Sequence, residues 1–247
     1  MVEEIVDVMV NCRSCVVLTG AGISAESGVP TFRGQEGLWK KFRPEELATM
    51  DAFIANPKIV WEWYNWRRQL MAKVTPNAGH LAITEMESWC ESFTLVTQNV
   101  DNLHRTAGTQ DILELHGNIQ RNKCVDCNEP FDPVVEINPD KIPKCKLCGG
   151  RIRPDVVWFG ELLNPQIIDR AFRVSQEADI FFSVGTSAIV HPAASLPPTA
   201  KRDGATLVEV NTEETPISFL ADFQIREKSG EFLPRLVQQL KQRKQVR

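Results

Sequence analysis

The sequence predicts an α/β fold in which helices cover both faces of a doubly wound parallel sheet. Six short runs are rich in β-branched residues and carry apolar side chains at successive positions, as strands buried on both faces do. They are residues 15–19, 93–98, 111–115, 179–184, 206–210 and 222–225. Helix-like segments fall between them, at residues 2–12, 78–90, 166–177 and 230–243. This alternation of strands and helices predicts a Rossmann-like sheet.

Length and composition narrow the class of protein. The chain has 247 residues, of which 43% are hydrophobic and 24% charged, enough to fill one large core with a small insert. The net charge of −4 gives no basic footprint, so we expect no sequence-specific nucleic-acid partner. No apolar run reaches the roughly 20 residues of a membrane span, and acids stand where a secretory leader carries Lys or Arg. We therefore expect a cytoplasmic protein without a membrane partner, and a monomer.

Two Cys-x-x-Cys pairs predict a metal site. Cys124 and Cys127 form the first pair, and Cys145 and Cys148 form the second. Four thiolates close a tetrahedral shell around Zn²⁺ and leave no open position, so the ion is expected to be structural. Residues 119–155 have little apolar content, so they need a bound metal ion to stabilise their fold. A redox pair is the alternative, and a zinc ribbon by itself could equally be a module that binds nucleic acid or protein.

A second stretch also interrupts the α/β pattern. Residues 34–76 contain four of the six tryptophans and the only tyrosine, with no clear strand, so they are expected to form a helical module. The predicted organisation is therefore a Rossmann-like domain and two inserts. The domain comprises residues 1–33, 77–118 and 156–247, the helical module is 34–76, and the Cys₄ zinc ribbon is 119–155.

The first strand runs into a glycine-rich turn. Gly20-Ala21-Gly22 would let backbone N–H groups approach a pyrophosphate at the start of a helix. The next glycine is Gly28, later than the dinucleotide fingerprint of ordinary dehydrogenases requires. The turn alone is therefore equally compatible with a tight connection from strand to helix.

The longer sequence around this turn resembles the sirtuin signature almost position for position, from Gly20 to Arg33. Four further blocks follow in the order of that family, so that the resemblance spans about residues 15 to 230. They are Thr97-Gln-Asn-Val-Asp101, Leu115-His-Gly117, Val157-Trp-Phe-Gly-Glu161 and Gly185-Thr-Ser187. The resemblance implies an NAD-dependent protein-lysine deacylase acting on acyl-lysine proteins or peptides. Such an enzyme consumes NAD and releases nicotinamide and O-acyl-ADP-ribose.

Of the four histidines, one stands at the end of a predicted strand. His116 follows the strand 111–115, and its imidazole can titrate near neutrality as a base must. The resemblance implies that His116 is the general base toward a ribose hydroxyl, after the acyl oxygen has attacked the anomeric carbon. His80 is expected to pack or to cap a helix, and His104 to lie at the surface. His191, before Pro192, has no clear role.

The end of the second main strand supplies further polar side chains. Gln98, Asn99 and Asp101 could by themselves be cap and turn residues. The resemblance implies that Asn99 acts in catalysis by positioning the ribose or a water, that Asp101 holds the carboxamide and that Gln98 contacts the ribose. It also implies that Phe32 shields the reacting ribose. The full implied cofactor set comprises Gly20, Ala21, Gly22, Ser24, Ala25, Glu26, Thr31, Phe32, Arg33, Trp39, Gln98, Asn99, Val100, Asp101, Gly185, Thr186, Ser187, Asn211, Thr212, Glu213 and Ser229.

The acyl-lysine substrate is expected to contact two segments. The resemblance implies that an extended peptide pairs with Val157, Trp158, Phe159, Gly160 and Glu161, a segment that could otherwise be the edge of a core strand. Tyr64 and Arg67 are three apart and so share a helix face, where an arginine fork and a phenol could bind a carboxylate. The alternative is that Arg67 or Arg68 pairs with Glu62 on the surface.

The Tyr-x-x-Arg pair, together with Ala25, resembles the class III sirtuins, which remove succinyl and malonyl groups. We therefore expect removal of these groups and of acetyl from lysine. Three alternatives stay open: a plain deacetylase, a protein mono-ADP-ribosyltransferase and a non-catalytic NAD-binding or zinc-ribbon adaptor. The intact set of Asn99, Asp101 and His116 argues against the adaptor.

Overall fold

A computed structural model describes residues 1–31, 43–131 and 137–245 of the chain. Its main sheet has six parallel strands in the order β3-β2-β1-β6-β7-β8. These strands are β1 Ser14–Thr19, β2 Ser92–Thr97, β3 Ile112–Glu114, β6 Ile180–Val184, β7 Thr206–Val210 and β8 Phe223–Ile225. The predicted α/β fold and all six predicted strands are confirmed, with ends that move by no more than one residue.

Seven helices connect or flank these strands within the described residues. They are α1 Val2–Asn11, α2 Ala21–Ala25, α6 Ala78–Met86, α7 Leu103–Ala107, α8 Pro165–Gln176, α9 Leu196–Arg202 and α10 Ser229–Gln245. The helix predicted over 78–90 ends at Met86, because the chain must turn before β2 begins at Ser92. None of the helices in the described part of the chain is long and apolar enough to cross a membrane.

Successive residues of β1 point to opposite faces of the sheet and enter two different cores. Val17 belongs to the core that α1, α6 and α10 close, together with residues such as Ile83 and Leu236. Val16 and Leu18 belong to the opposite core, under α8 and α9. A sheet covered on both faces explains why its strands carry continuous apolar runs.

A second body of structure surrounds a third core. It contains α3 Pro44–Leu47, α4 Met50–Ala55, α5 Pro57–Met71 and an antiparallel pair, β4 Gly117–Cys124 with β5 Ile152–Val156. Buried Trp61 and Tyr64 of α5 share one core with Ile119 and Ile152 of this pair. The sequence predicted two separate modules, whereas the structure packs their described residues around a common core. The module boundaries themselves stay predictions.

Three side chains of α5 attach this helix to the segments around β4 and β5. Trp61 Nε1 donates to the Ile152 carbonyl at 3.1 Å, and Asn65 Nδ2 donates to the Ile137 carbonyl at 2.7 Å. Arg68 Nε donates to the carbonyl of Ile119 at 2.7 Å. These three acceptors are main-chain oxygens, and Arg68 Nη2 also donates to the Asn122 side chain at 2.6 Å, so α5 is attached mainly to the backbone of the cysteine-bearing region.

The turn after β1 packs backbone to backbone against the end of β6. Gly22 N donates to the Gly185 carbonyl at 2.8 Å. Gly185 has a φ of +58°, and a Cβ there would lie 2.5 Å from the nitrogen of Ile23. The contact therefore requires glycine for two reasons, the left-handed backbone and the missing side chain.

We expect Gly185→Ala to lower the free energy of unfolding by roughly 2–4 kcal/mol, because the methyl group would meet rigid backbone and the residue would be strained. Gly204→Ala is the matched control, since Gly204 has a φ of +106° but nothing within 4 Å of a Cβ. Denaturant unfolding should give a loss of about 1 kcal/mol for the control. Equal losses for the two variants would contradict the proposed backbone clash.

Candidate functional site

A cavity of about 660 Å³ opens at the carboxyl ends of the parallel strands. It lies where β1 stands between β2 and β6, the point at which the strand order reverses and at which open α/β sheets bind ligands. Its walls include most of the residues expected to bind cofactor or substrate. These are Gly20, Ala21, Gly22, Thr31, Tyr64, Arg67, Gln98, Asn99, Val100, His116, Val157, Trp158, Phe159, Gly160, Glu161, Gly185, Thr186, Ser187, Asn211, Thr212 and Glu213.

Some of the expected residues lie elsewhere. Glu26 accepts hydrogen bonds from Ser229 Oγ at 3.0 Å and from Gly230 N at 2.9 Å, so this pair joins α2 to the start of α10 rather than lining the cavity. Ala25 is exposed at the end of α2. Ser24 and Asp101 are buried beneath the wall. Phe32, Arg33 and Trp39 are outside the described residues.

His116 is held by a main-chain oxygen. Its Nδ1 donates to the Gln98 carbonyl at 3.0 Å, which leaves Nε2 as the unprotonated nitrogen of the neutral ring. Burial lowers the pKa of His116 below its ordinary value, and the hydrogen bond to Gln98 only partly opposes this effect. A neutral imidazole in the cavity wall can accept a proton, as a general base must.

Asn99, Ser24 and Asp101 form a buried hydrogen-bonded chain under the cavity. Asn99 Nδ2 donates to the Gly20 carbonyl at 3.0 Å and to Ser24 Oγ at 3.2 Å. Ser24 Oγ in turn donates to Asp101 Oδ2 at 2.7 Å. Burial raises the pKa of Asp101, although hydrogen bonds from Leu103 and Ser24 oppose that rise. The resemblance implies that Ser24 contacts phosphate or orders the loop, and the hydrogen bonds show Ser24 in the second of these settings, next to the glycine turn. The contact of Asp101 with the carboxamide stays a prediction.

Two histidines continue this polar chain into the interior. His80 Nδ1 accepts from Asn77 N at 3.3 Å in a capping box, which confirms the expected capping role. The surface position expected for His104 is wrong: its side chain is buried, and its Nε2 is hydrogen-bonded to Thr19 Oγ1 at 2.9 Å. Burial lowers the pKa of His80 to about 4 and that of His104 well below its usual range, so both rings are neutral.

The loop after β7 closes the far end of the cavity. Glu209 of β7 is buried and accepts from Ser218 Oγ at 2.6 Å and from Arg226 Nη1 at 2.7 Å, and its other oxygen bonds Thr215. This carboxylate therefore folds the loop over the strand ends. Sequence reasoning missed several residues that line the cavity. They are Ala48, Trp63, Val156, Leu163, Ile189, Val190, His191, Glu214, Thr215 and Pro216, and six of them lie in the loops four to seven residues after β6 or β7.

Tyr64 and Arg67 line the same cavity from helix α5. Both side chains are buried, and the guanidinium carbon of Arg67 lies 4.9 Å from the Trp63 ring centroid and 5.7 Å from that of Tyr64. Burial lowers the pKa of Arg67, while Tyr64 and Asp101 oppose the change. The surface alternative is wrong, because Arg67 is buried, Arg68 bonds the β4 region and Glu62 lies near Lys58.

Residues 157–161 form an ordered wall of the cavity. Val157 N donates to the His116 carbonyl at 2.9 Å, and Phe159 N donates to the Ala48 carbonyl at 2.9 Å. Glu161 accepts from Trp158 N at 2.8 Å and from Arg153 Nη2 at 2.9 Å. The segment thus connects the base to the helical region, while Phe159 remains about half exposed at the rim.

The four cysteines form a cluster whose dimensions suit zinc. The sulfurs of Cys124 and Cys148 are 3.4 Å apart, those of Cys127 and Cys145 are 3.7 Å apart, and all four lie within 4.8 Å of one another. A tetrahedron with zinc–sulfur bonds of about 2.3 Å has edges of about 3.8 Å. Asp126 N and Gly150 N each point at a sulfur at 3.4 Å, as expected for thiolates. The predicted four-cysteine site is confirmed as a cluster of this geometry.

Fold and site together define a nucleotide-binding enzyme: a Rossmann-like sheet with a partly buried histidine in the cavity at its switch point and a four-cysteine cluster beside it. Comparison with known proteins identifies the protein family. The family model described as "Sir2 family" matches residues 20–192. An NAD-dependent protein deacylase of Aquifex aeolicus is 54% identical over 92% of this chain and 95% of its own length, and one from Pyrococcus abyssi is 49% identical over 98% of each.

Solved structures agree with this result. A complex of a mutant Sir2 homologue with ADP-ribose is 42% identical, with a TM-score of 0.95 over 100% of this chain and 99% of that one. A Sir2 complex with a p53 peptide and NAD⁺ is 31% identical, with a TM-score of 0.84 over 97% and 98% of the two chains. The chain therefore belongs to the Sir2 family, and the enzyme class expected from the sequence, NAD-dependent protein deacylase, is confirmed.

We expect the purified protein to carry one zinc ion per chain and Cys148→Ser to lose most of it, because three thiolates and a hydroxyl bind zinc far more weakly. Since Cys124 and Cys145 also belong to the third core, Tm should fall by at least about 5 °C. Elemental analysis and thermal unfolding measure the two effects. Cys90→Ser, outside the cluster, serves as the control and should keep its zinc. Full zinc content in Cys148→Ser would contradict the assignment.

Proposed function

We propose that the chain removes acyl groups from protein lysine side chains, using NAD and His116 as general base. The observation that carries this proposal is the hydrogen bond from His116 Nδ1 to the Gln98 carbonyl. Because Nδ1 carries the hydrogen, Nε2 is unprotonated and can accept a proton in the cavity that His116 lines. NAD supplies the electrophilic ribose carbon and the acceptor for the acyl group. The Sir2 complex with a p53 peptide and NAD⁺ supports a peptide and a dinucleotide as the two substrates.

The remaining roles follow from position in the cavity. The backbone of residues 20–22, at the start of α2, would bind the pyrophosphate. Gln98, fixed by its hydrogen bond to Thr186 Oγ1 at 2.9 Å, would contact a ribose. Asn99, which the buried chain orients, would position a ribose hydroxyl or a water. Residues 157–161 would pair with the peptide, because main-chain pairing gives affinity without demanding one sequence.

We further propose that the preferred acyl groups end in a carboxylate, such as succinyl or malonyl. Arg67 is a buried cation that lines the cavity together with the phenol of Tyr64. A guanidinium in the wall of a cavity attracts an anionic group more strongly than an exposed one does, because water screens the charge less. Its planar fork also suits a carboxylate in two hydrogen bonds. Acetyl-lysine remains a weaker substrate, because the acyl transfer needs only the amide oxygen.

Two other activities are distinguished by their products. A plain deacetylase would use acetyl-lysine peptides at least as well as succinyl-lysine peptides. A mono-ADP-ribosyltransferase would leave ADP-ribose on protein and form no O-acyl-ADP-ribose. Mass spectrometry of succinyl and acetyl peptides incubated with NAD separates both activities from the proposed one, and a protein that bound NAD without turnover would be the adaptor.

We expect the acid limb of the pH–rate profile to lie below the ordinary histidine pKa of about 6.5, because His116 must be neutral to act and burial lowers its pKa. Activity should therefore be retained as the pH falls through 6.5 and be lost only at lower pH. The measurement is kcat/KM for the acylated peptide against pH at saturating NAD. His116→Ala should lose O-acyl-ADP-ribose formation by at least a hundredfold, and a limb at or above 6.5 would contradict the proposed burial effect.

We expect Arg67→Met to lower kcat/KM for a succinyl-lysine peptide roughly 10- to 100-fold, the value of a charge-assisted hydrogen bond of about 1.5–3 kcal/mol. The loss for the acetyl-lysine peptide of the same sequence should be much smaller. Side-by-side kinetics with the two peptides give both values.

Two variants control this comparison. Arg67→Lys keeps the charge but not the fork, so its succinyl-lysine activity should be intermediate. Glu62→Gln changes an exposed residue of the same helix and should leave both rates unchanged. Equal losses for both peptides in Arg67→Met would refute a role of Arg67 in acyl recognition.

A further inference from the structure

We propose that Trp158 is a positioning residue for acyl specificity, because its indole fixes the hydroxyl of Tyr64 as a donor to the terminal carboxylate of the acyl group. This inference rests on the proposed preference for acidic acyl groups and deepens it. Trp158 is expected from the sequence only to pair with the peptide. Its side chain instead reaches into the interior, where it is buried in the third core.

The direction of one hydrogen bond carries the inference. Trp158 Nε1 lies 2.8 Å from the Tyr64 hydroxyl oxygen, and an indole nitrogen can only donate. The phenol oxygen must therefore accept, and its own hydrogen is left to be donated elsewhere. Tyr64 lines the cavity beside Arg67, so that hydrogen can be presented to an anion bound there. Burial raises the pKa of Tyr64, so the phenol keeps the hydrogen at neutral pH.

The indole is itself held from two sides. The guanidinium of Arg153 lies 3.4 Å from the Trp158 ring centroid, and Arg153 forms an ion pair with Glu161. The Phe53 ring packs against the indole at a centroid distance of 5.3 Å. A side chain held in this way has little freedom to rotate, so it can impose one direction on the hydroxyl.

The consequence is discrimination between acyl groups. A succinyl or malonyl terminus offers carboxylate oxygens to the donated hydrogen, whereas the methyl group of acetyl-lysine offers no acceptor. Hydrogen bonds to a charged group are worth about 1.5–3 kcal/mol, and misorienting the donor forfeits part of that energy. Trp158 therefore acts on selectivity through Tyr64, without needing to touch the acyl group.

The test is a double-mutant cycle in which the measured quantity is the selectivity for succinyl- over acetyl-lysine peptide. Trp158→Phe keeps a ring but removes the N–H, and Tyr64→Phe removes the hydroxyl. We expect Trp158→Phe to lower the ratio of kcat/KM for succinyl- over acetyl-lysine peptide roughly three- to tenfold in the otherwise unchanged protein. In a protein that already carries Tyr64→Phe, adding Trp158→Phe should cause no further change in this ratio. An equal drop in both backgrounds, or no change of the ratio in either, would overturn the proposal.

A second measurement does not depend on turnover. Tyr64 is the only tyrosine of the chain, so ring-labelled tyrosine gives one set of NMR signals. A succinyl-lysine peptide should shift these signals more than the matched acetyl-lysine peptide does, and Trp158→Phe should reduce this difference. The same difference with and without the indole would overturn the positioning role.

The measurements distinguish failure of the proposed preference for acidic acyl groups from failure of the proposed role of Trp158. If the unsubstituted enzyme shows no preference for succinyl over acetyl peptides and Arg67→Met affects both alike, acidic acyl recognition is wrong and the inference about Trp158 falls with it. If that preference is present and depends on Arg67, but Trp158→Phe leaves the ratio unchanged, only the role of Trp158 is wrong. Thermal unfolding of each variant reports any loss of core packing separately.

Discussion

The parallel pairing of β1 with both β2 and β6 is the constraint from which the site follows. It brings the carboxyl ends of three strands to one edge, where Gly20, Gln98 and Gly185 come together although they are far apart in sequence. The glycine turn fits there only because Gly22 and Gly185 make a direct backbone contact. Close backbone packing thus shapes the crevice at this edge of the sheet, where open α/β sheets bind ligands.

Burial prepares the polar groups around this crevice for their tasks. It keeps the imidazoles of His116 and His80 neutral and holds the Arg67 cation away from water. The chain from Asn99 through Ser24 to Asp101 provides hydrogen-bond partners for polar atoms that would otherwise be costly to bury. Asn99 therefore belongs to a buried hydrogen-bonded network, which limits how far its side chain can move.

Much of the fold could be predicted from the sequence because strand periodicity is a local signal. The six apolar runs became six strands, and His116 was found because it follows one of them. Long-range polar partners leave no local signal: His104 has the pattern of a surface residue, yet its partner Thr19 is 85 positions away. For the same reason, sequence spacing did not reveal that Glu26 caps α10 through Ser229, or that α5 shares a core with β4.

The attachment of α5 to the cysteine-bearing region also affects how this protein can evolve. Trp61, Asn65 and Arg68 all donate to main-chain oxygens, at Ile152, Ile137 and Ile119. Every amino acid supplies such an oxygen, so these three contacts do not depend on the opposing side chains, whereas the further bond from Arg68 Nη2 to Asn122 Oδ1 at 2.6 Å does. The outer surface of the cysteine-bearing region can therefore change in sequence while the helix that carries Tyr64 and Arg67 keeps these attachments.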